Sequence, residues 1–255
     1  MVSLTCMARQ RVPEGPPAVP PVQKLRIRYA KRGRLRFSST RDFQRALERA
    51  LRRAGVPMAF SAGFHPHPKI SYANAASTGT ASEAEYVEIS LIRRVDPETL
   101  RAALDEALPD GLDIVEVVEA RGGSLADRLQ ASRWRLQFAG IGPAALERAA
   151  AIFLAEDRIE VTRMLKKGPR VFDVRAAVID MFVREGEKGC AILQMVVRHT
   201  TPAVRPDDVL TALRTVAALE PSRPPLVTRL AQGPLQAATA EVADPLAPDR
   251  DVNGA

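Results

Sequence analysis

The chain has 255 residues, 46% of them hydrophobic and 26% charged, and carries a formal net charge of +7. These proportions describe an ordinary soluble globular protein with room for two modest domains. Its 2 cysteines and 3 histidines cannot build a disulfide framework, an iron–sulfur cluster or a structural zinc site.

The first 22 residues are Pro-rich (VPEGPPAVPPV at 12–22) and lack periodicity, which predicts a disordered tail without the apolar core of a signal peptide. No apolar run is long enough to span a bilayer. The expectation is a cytoplasmic protein with no membrane association, no metal and no cofactor.

The basic charge is local. Twelve of the residues from Lys24 to Arg53 are Lys or Arg, opposed only by Asp42 and Glu48, so the rest of the chain is net acidic. A patch of this kind is the footprint expected of a surface that meets polyanions. Within it, 24–30 alternates: Leu25, Ile27 and Tyr29 against Lys24, Arg26 and Arg28. That predicts a half-buried strand. A turn at 31–34 and extended chain at 34–37 follow. A helix is predicted over 40–54, with Ser39 or Thr40 as N-cap, Asp42 in its first turn and Gly55 as its stop. Phe43, Leu47, Ala50, Leu51 and Ala54 share one arc of that helix. Arg41, Arg45 and Arg52 lie opposite, with Arg49 beside them.

Short strands are predicted near 57–61 and 69–74, then a strand at 85–92, a helix at 97–108 opened by Asp96 and Pro97, and a strand at 112–119. Gly122-Gly123 marks a candidate boundary. A second pass predicts a strand at 132–138, a helix at 143–155, strands at 158–165, 170–178 and 189–198, a helix at 206–219 and an extended piece at 226–230. Each pass approximates βαββαβ. The fold expected is α+β: two tandem ferredoxin-like domains over 23–122 and 123–236, between disordered tails at 1–22 and 237–255.

Two histidines, His65 and His67, sit two apart in Gly63-Phe64-His65-Pro66-His67-Pro68-Lys69. Proline enforces extended chain, which places both rings on one side of a rigid loop. Metal binding lacks further ligands, so contact with RNA or a structural role is the expected use. Glu83 and Glu85 alternate onto one side of their strand, and Tyr86 and Glu88 onto the other. Phosphate loops, dinucleotide fingerprints and nucleophile elbows are absent. Aromatics are 5%, too few for a broad base-stacking platform, although Phe37, Tyr72 and Trp134 are candidates for single stacks.

The segment RLRFSSTRDFQRALERALRRAGVPMAFSAGFHPHPKISY (34–72) resembles the family of radical SAM-linked proteins. So do SEAEY (82–86), FDVRAAV (172–178), VVRHTTPAVRPDDVL (196–210), VTRLAQGPL (227–235) and DPLAPDR (244–250), the later ones in the manner of actinobacterial members. The resemblance implies a companion to a radical SAM enzyme, because members are encoded beside or fused to one. The chain has no CxxxCxxC cluster motif of its own. Members also lie near genes for an RNase E/G-type ribonuclease and ribosomal proteins, which implies RNA metabolism. Where the family usually carries His, this chain has Thr40.

These readings lead to a non-catalytic accessory protein that binds RNA. Arg26, Arg28, Arg34, Arg36, Arg41, Arg45, Arg49 and Arg52 would hold backbone phosphates, with His67 and Lys69 in the loop beside them. The alternatives are a metal-independent ribonuclease using His67 as general acid–base, and a protein-binding adaptor in which the Arg face meets an acidic partner.

Overall fold

The computed structural model describes residues 18–165 and 168–250. The N-terminal tail expected over 1–22 falls mostly outside these residues. The first half comprises β1 (Gln23–Lys31), α1 (Thr40–Arg53), β2 (Ile70–Ala73), β3 (Ala81–Leu91), α2 (Pro97–Ala107) and β4 (Leu112–Glu119). A short helix α3 (Leu125–Arg128) leads to the second half. That half comprises β5 (Ala131–Phe138), α4 (Pro143–Ala155), β6 (Glu160–Leu165), β7 (Gly168–Asp173), β8 (Val178–Glu185), β9 (Ala191–Arg198), α5 (Pro206–Ala217) and β10 (Leu226–Gly233). The chain continues into β11 (Leu235–Gln236), β12 (Glu241–Val242) and α6 (Ala247–Arg250).

The main sheet runs β4-β1-β3-β10-β5-β9-β8, with β2 also paired to β3, while β6 and β7 form a separate hairpin. All pairs are antiparallel except β10 with β3. The protein is therefore mixed α+β, with six helices among the described residues and a mostly antiparallel sheet. None of these helices is long and apolar enough to cross a membrane.

Local chemistry accounts for α1. Ser39 is the N-cap: its Oγ accepts from Asp42 N at 3.2 Å, and Asp42 Oδ2 accepts from Ser39 N at 3.1 Å. This capping box satisfies two otherwise free N–H groups. At the other end Gly55 adopts φ +63°, a conformation that glycine enters without a Cβ clash, and the helix stops. Phe43, Leu47, Ala50 and Leu51 are buried, packed with Leu25, Ile27, Val87 and Ile89 of the sheet and Leu100 and Leu104 of α2. A second core lies under α4 and α5, where Leu146, Phe153, Val209 and Leu213 meet Leu136, Phe138, Leu193 and Met195.

Three expectations are corrected. Residues 33–37 form a 3-10 turn rather than extended chain, closed by Leu35 N on Arg32 O and Ser38 N on Leu35 O. Strand β7 ends at Asp173, whose carboxylate accepts from Arg175 N at 3.0 Å and turns the chain, so 178–185 becomes a separate strand that the pattern did not reveal. A register shift between Val178 and Asp180 puts the buried Val178 and Met181 three apart, which erases the alternation. Finally, 237–250 is not a tail.

The C-terminal segment is held by a buried ion network. Asp249, with no side-chain exposure, sits 2.8 Å from Arg26 Nη1 and 2.7 Å from Arg128 Nη1, and accepts from Arg121 N at 2.9 Å. Burial pushes its carboxyl up, but these hydrogen bonds outweigh that and hold it below the usual carboxylate range. Leu246 packs with Ala84, Tyr86, Val118, Leu125 and Leu129. A Cβ at Gly233 would stand 2.0 Å from Ala243 O, so only glycine admits the segment this close to β10. Asp249→Ala is expected to cost about 3–5 kcal/mol in urea unfolding, because it removes the buried carboxylate shared by Arg26 and Arg128 and leaves Arg26 with Glu88 alone. Arg250→Ala, which breaks the partly exposed pairs with Glu116 and Asp244, should cost under about 1 kcal/mol.

Candidate functional site

The ten residues expected to form the nucleic-acid surface separate into two groups. Arg41, Arg45, Arg49 and Arg52 are exposed along α1, and none makes an ion pair among the described residues. Arg34, His67 and Lys69 are exposed too. Arg36 is half-buried, its guanidinium 4.4 Å over the exposed Phe37 ring.

Arg26 is different. Only 1% exposed, it spends its donors on Glu88, Asp249 and the carbonyls of Gly122 and Gly123. It cannot reach a phosphate, because the outer face of β1 is covered by the C-terminal segment. Arg28 is half-buried and donates through Nε to Glu83 O at 2.9 Å. Arg32 and Lys24, also in the basic run, pair with Glu83 and Asp113, and with Glu88. The carboxylates Glu83 and Glu88 thus neutralise the strand end of the patch.

His65 and His67 are exposed on a tight loop closed by Ser61 N on His67 O at 2.9 Å and His67 N on Ser61 Oγ at 3.0 Å. Neither ring has a hydrogen-bond partner among the described residues. General acid–base work by His67 therefore has no second group to orient it here.

Sequence reasoning missed a second locale. A cleft of about 480 Å³ opens where the halves meet, lined by Thr40, the loop Asn74–Thr78, Trp134, Val197, the segment His199–Pro206 and Arg229. Thr40 is the first residue of α1, not its cap, and it lines the cleft. Three buried charges stand in and behind the cleft wall, Arg229 in the lining and Glu85 and Lys31 behind it. Arg229, Glu85 and Lys31 are 6%, 2% and 5% exposed. Arg229 Nη1 donates to Glu85 Oε1 at 3.0 Å and to Asn74 O at 2.7 Å, and its guanidinium lies 4.7 Å over Trp134. Glu85 Oε2 accepts from Ala76 N at 2.9 Å. Lys31 Nζ approaches the carbonyls of Ala76 and Ser77 at 3.4 Å, and burial lowers its pKa although Glu85 opposes this. The three charges thus fix the shape of the loop.

His199 sits across from that loop. Nδ1 lies 2.7 Å from Leu129 O, which can only accept, so Nδ1 carries the proton and Nε2 accepts from Ser132 Oγ at 2.8 Å. The imidazole is thereby set as one neutral tautomer. Burial depresses its pKa, the nearby Arg229 charge lowers it further, and the Leu129 carbonyl opposes them.

The profile of a bacterial family, described as an uncharacterized protein conserved in bacteria (DUF2344), matches residues 24–206. The chain belongs to this family. No curated protein matches the chain. The segment shared with DUF2344 carries all of α1 and every cleft residue named above except Arg229.

Because the folded pKa of His199 lies below its ordinary value of 6.5, the unfolded chain takes up that proton first. Its contribution to stability is present above pH 6.5 and is lost as pH falls through the folded pKa. Thermal melts between pH 8 and pH 5 should therefore show a steeper decline for the wild type than for His199→Gln. The difference should not exceed about 1.4 kcal/mol per pH unit.

Proposed function

We propose that this chain is a non-catalytic, cytoplasmic accessory protein that binds RNA along the exposed face of α1. The observation that carries this reading is that Arg41, Arg45, Arg49 and Arg52 stand exposed on one helix with no carboxylate in an ion pair with them among the described residues. Surface arginines on a folded domain are free to lie in ion pairs, as Arg94, Arg158 and Arg250 do here. An unpaired row on one helix matches the needs of phosphate contact. Arg34 and the Arg36–Phe37 stack extend the row past the helix start, with Phe37 58% exposed and free to stack on a base.

In this reading each half is a ferredoxin-like unit. The support is the strand order: β4-β1-β3-β2 in the first half and β10-β5-β9-β8 in the second, with all pairs inside each half antiparallel. The partner would be a radical SAM enzyme. The exposed Phe60 lines a small groove with Leu51, Val56, Met58 and Pro68, bordered by Glu48 and Arg52, a surface suited to a protein contact at the far end of α1.

The test is RNA binding by the purified protein across a salt series, alongside Arg41/Arg45/Arg49→Glu. Wild type should show a steep log–log salt slope. The variant should bind far more weakly, with a slope shallower by about 2, the change expected for three lost single-strand phosphate contacts. Equal affinity and slope in both proteins would exclude α1 as the RNA surface. Salt-sensitive co-purification with a radical SAM enzyme in the absence of RNA would favour the adaptor role instead.

A further inference from the structure

We propose that the cleft between the two halves binds the terminal phosphate of a nucleotide, either free or at the end of a nucleic-acid strand. The proposal stands on the cleft itself and not on the RNA surface of α1.

The charged lining is of one sign. Arg229 and Arg205 line the cleft beside the neutral His199, and no Asp or Glu does so among the described residues. Glu85, the carboxylate nearest to Arg229, lies behind the wall with its two oxygens spent on Arg229 and Ala76 N. Asp208, at the start of α5, is turned away onto Arg163 at 2.6 Å and Arg205 N at 2.7 Å. The cleft is thus an acid-free cavity with a cation in its wall and a second, exposed cation at Arg205.

The buried cation is only partly engaged. Arg229 is more than nine-tenths buried, yet its hydrogen bonds among the described residues run through Nη1 alone, and its Nε has no partner. Glu85 is already its counter-ion through Nη1, and an anion in the cleft would complement the part of the guanidinium that lines the cavity. The helix start supplies further attraction: Thr40 opens the 14-residue α1 at the cleft, where the positive end of the helix dipole lies. Thr40, Ser77 and Thr78 bring hydroxyls to the same cavity.

A cleft of about 480 Å³ is far larger than a phosphate needs and falls in the range of small-molecule sites. Beside the polar groups, Val197, Val204 and Pro206 give the cleft apolar surface for a ring. Polar and apolar lining together suit a phosphate carried on a nucleoside.

The chain supplies its own reporter. Trp134 is the single tryptophan, and it lines the cleft against Arg229. The full-length protein is titrated with the four ribonucleoside 5′-monophosphates, the matching nucleosides and inorganic phosphate, following Trp134 fluorescence and confirming by calorimetry. A 5′-phosphorylated RNA oligonucleotide and its 5′-hydroxyl twin are then used as competitors. At least one monophosphate should give a saturable change that its nucleoside does not. Arg205→Glu, an exposed position that leaves the buried charges intact, should weaken it about tenfold or more. Competition by the 5′-phosphorylated strand alone assigns the ligand to a strand end. Competition by neither strand assigns it to a free nucleotide. Arg41/Arg45/Arg49→Glu should leave nucleotide binding unchanged even where RNA binding is lost, so the two readings fail separately. Nucleosides binding as well as monophosphates, unchanged affinity in Arg205→Glu, inorganic phosphate binding as tightly as any nucleotide, or no response to any probe would each overturn the proposal.

Discussion

The buried pair of Glu85 and Arg229 joins the two halves of this protein. The main sheet passes from one half to the other through β3 and β10, whose register covers only Ala81 with Thr228 and Ser82 with Arg229. Two paired positions are a weak backbone seam. Side chains reinforce it: Arg229 reaches Glu85, and Gln232 Nε2 donates to Ala84 O at 2.8 Å. The seam is short because β3 has one edge to share. Tyr86–Ile89 of that edge are already taken by β2, so β10 is left with the start of the strand. Burying a charge pair is costly in itself, and it is tolerated here because Asn74 O, Ala76 N and the Trp134 ring satisfy much of what the pair leaves over.

The cleft follows from that seam. Two half-sheets that touch along a short parallel contact leave a gap beside it. The loop after β2, the start of α1 and the turn before α5 close around this gap. The charges that hold the seam also shape the loop, so the architecture and the candidate binding site share the same residues. A second clasp at Asp249 binds β1, α3 and the chain end into one network and removes Arg26 from the surface. The basic residues of this chain therefore serve two separate ends. Within 24–53, Lys24, Arg26, Arg28 and Lys31 of β1 are held by carboxylates and carbonyls, whereas Arg41, Arg45, Arg49 and Arg52 of α1 make no ion pair among the described residues.

Much of the secondary structure was legible. The α1 face, the Ser39 cap, the Asp96–Pro97 start of α2 and the alternation of Trp134, Leu136 and Phe138 all follow from short-range periodicity and capping chemistry. Strand β8 was not legible, because a bulge breaks its alternation. The exposed arginines of α1 were also readable, since a helix with one apolar arc presents its opposite arc to water. Arg26 misled by the same logic: alternation shows that a residue faces away from one core, but not whether something else covers the second face. Arg229 and His199 lie in segments that the family resemblance singled out, VTRLAQGPL and VVRHTTPAVRPDDVL, yet no local pattern marked either as a site residue.

By itself, then, the sequence determined the four longer helices, most strands and the exposed basic face of α1. Those properties depend on contacts between residues a few positions apart, which composition and periodicity record directly. Only the tertiary structure decided that 237–250 folds back as a clasp, that β10 enters the sheet beside β3, and that Thr40, Asn74, His199, Arg205 and Arg229 surround one cavity. The partners of those contacts are separated by as many as 223 positions, in the case of Arg26 and Asp249. Pairings at that range are chosen by which surfaces remain uncovered once the local elements have packed, and no stretch of sequence carries that information alone.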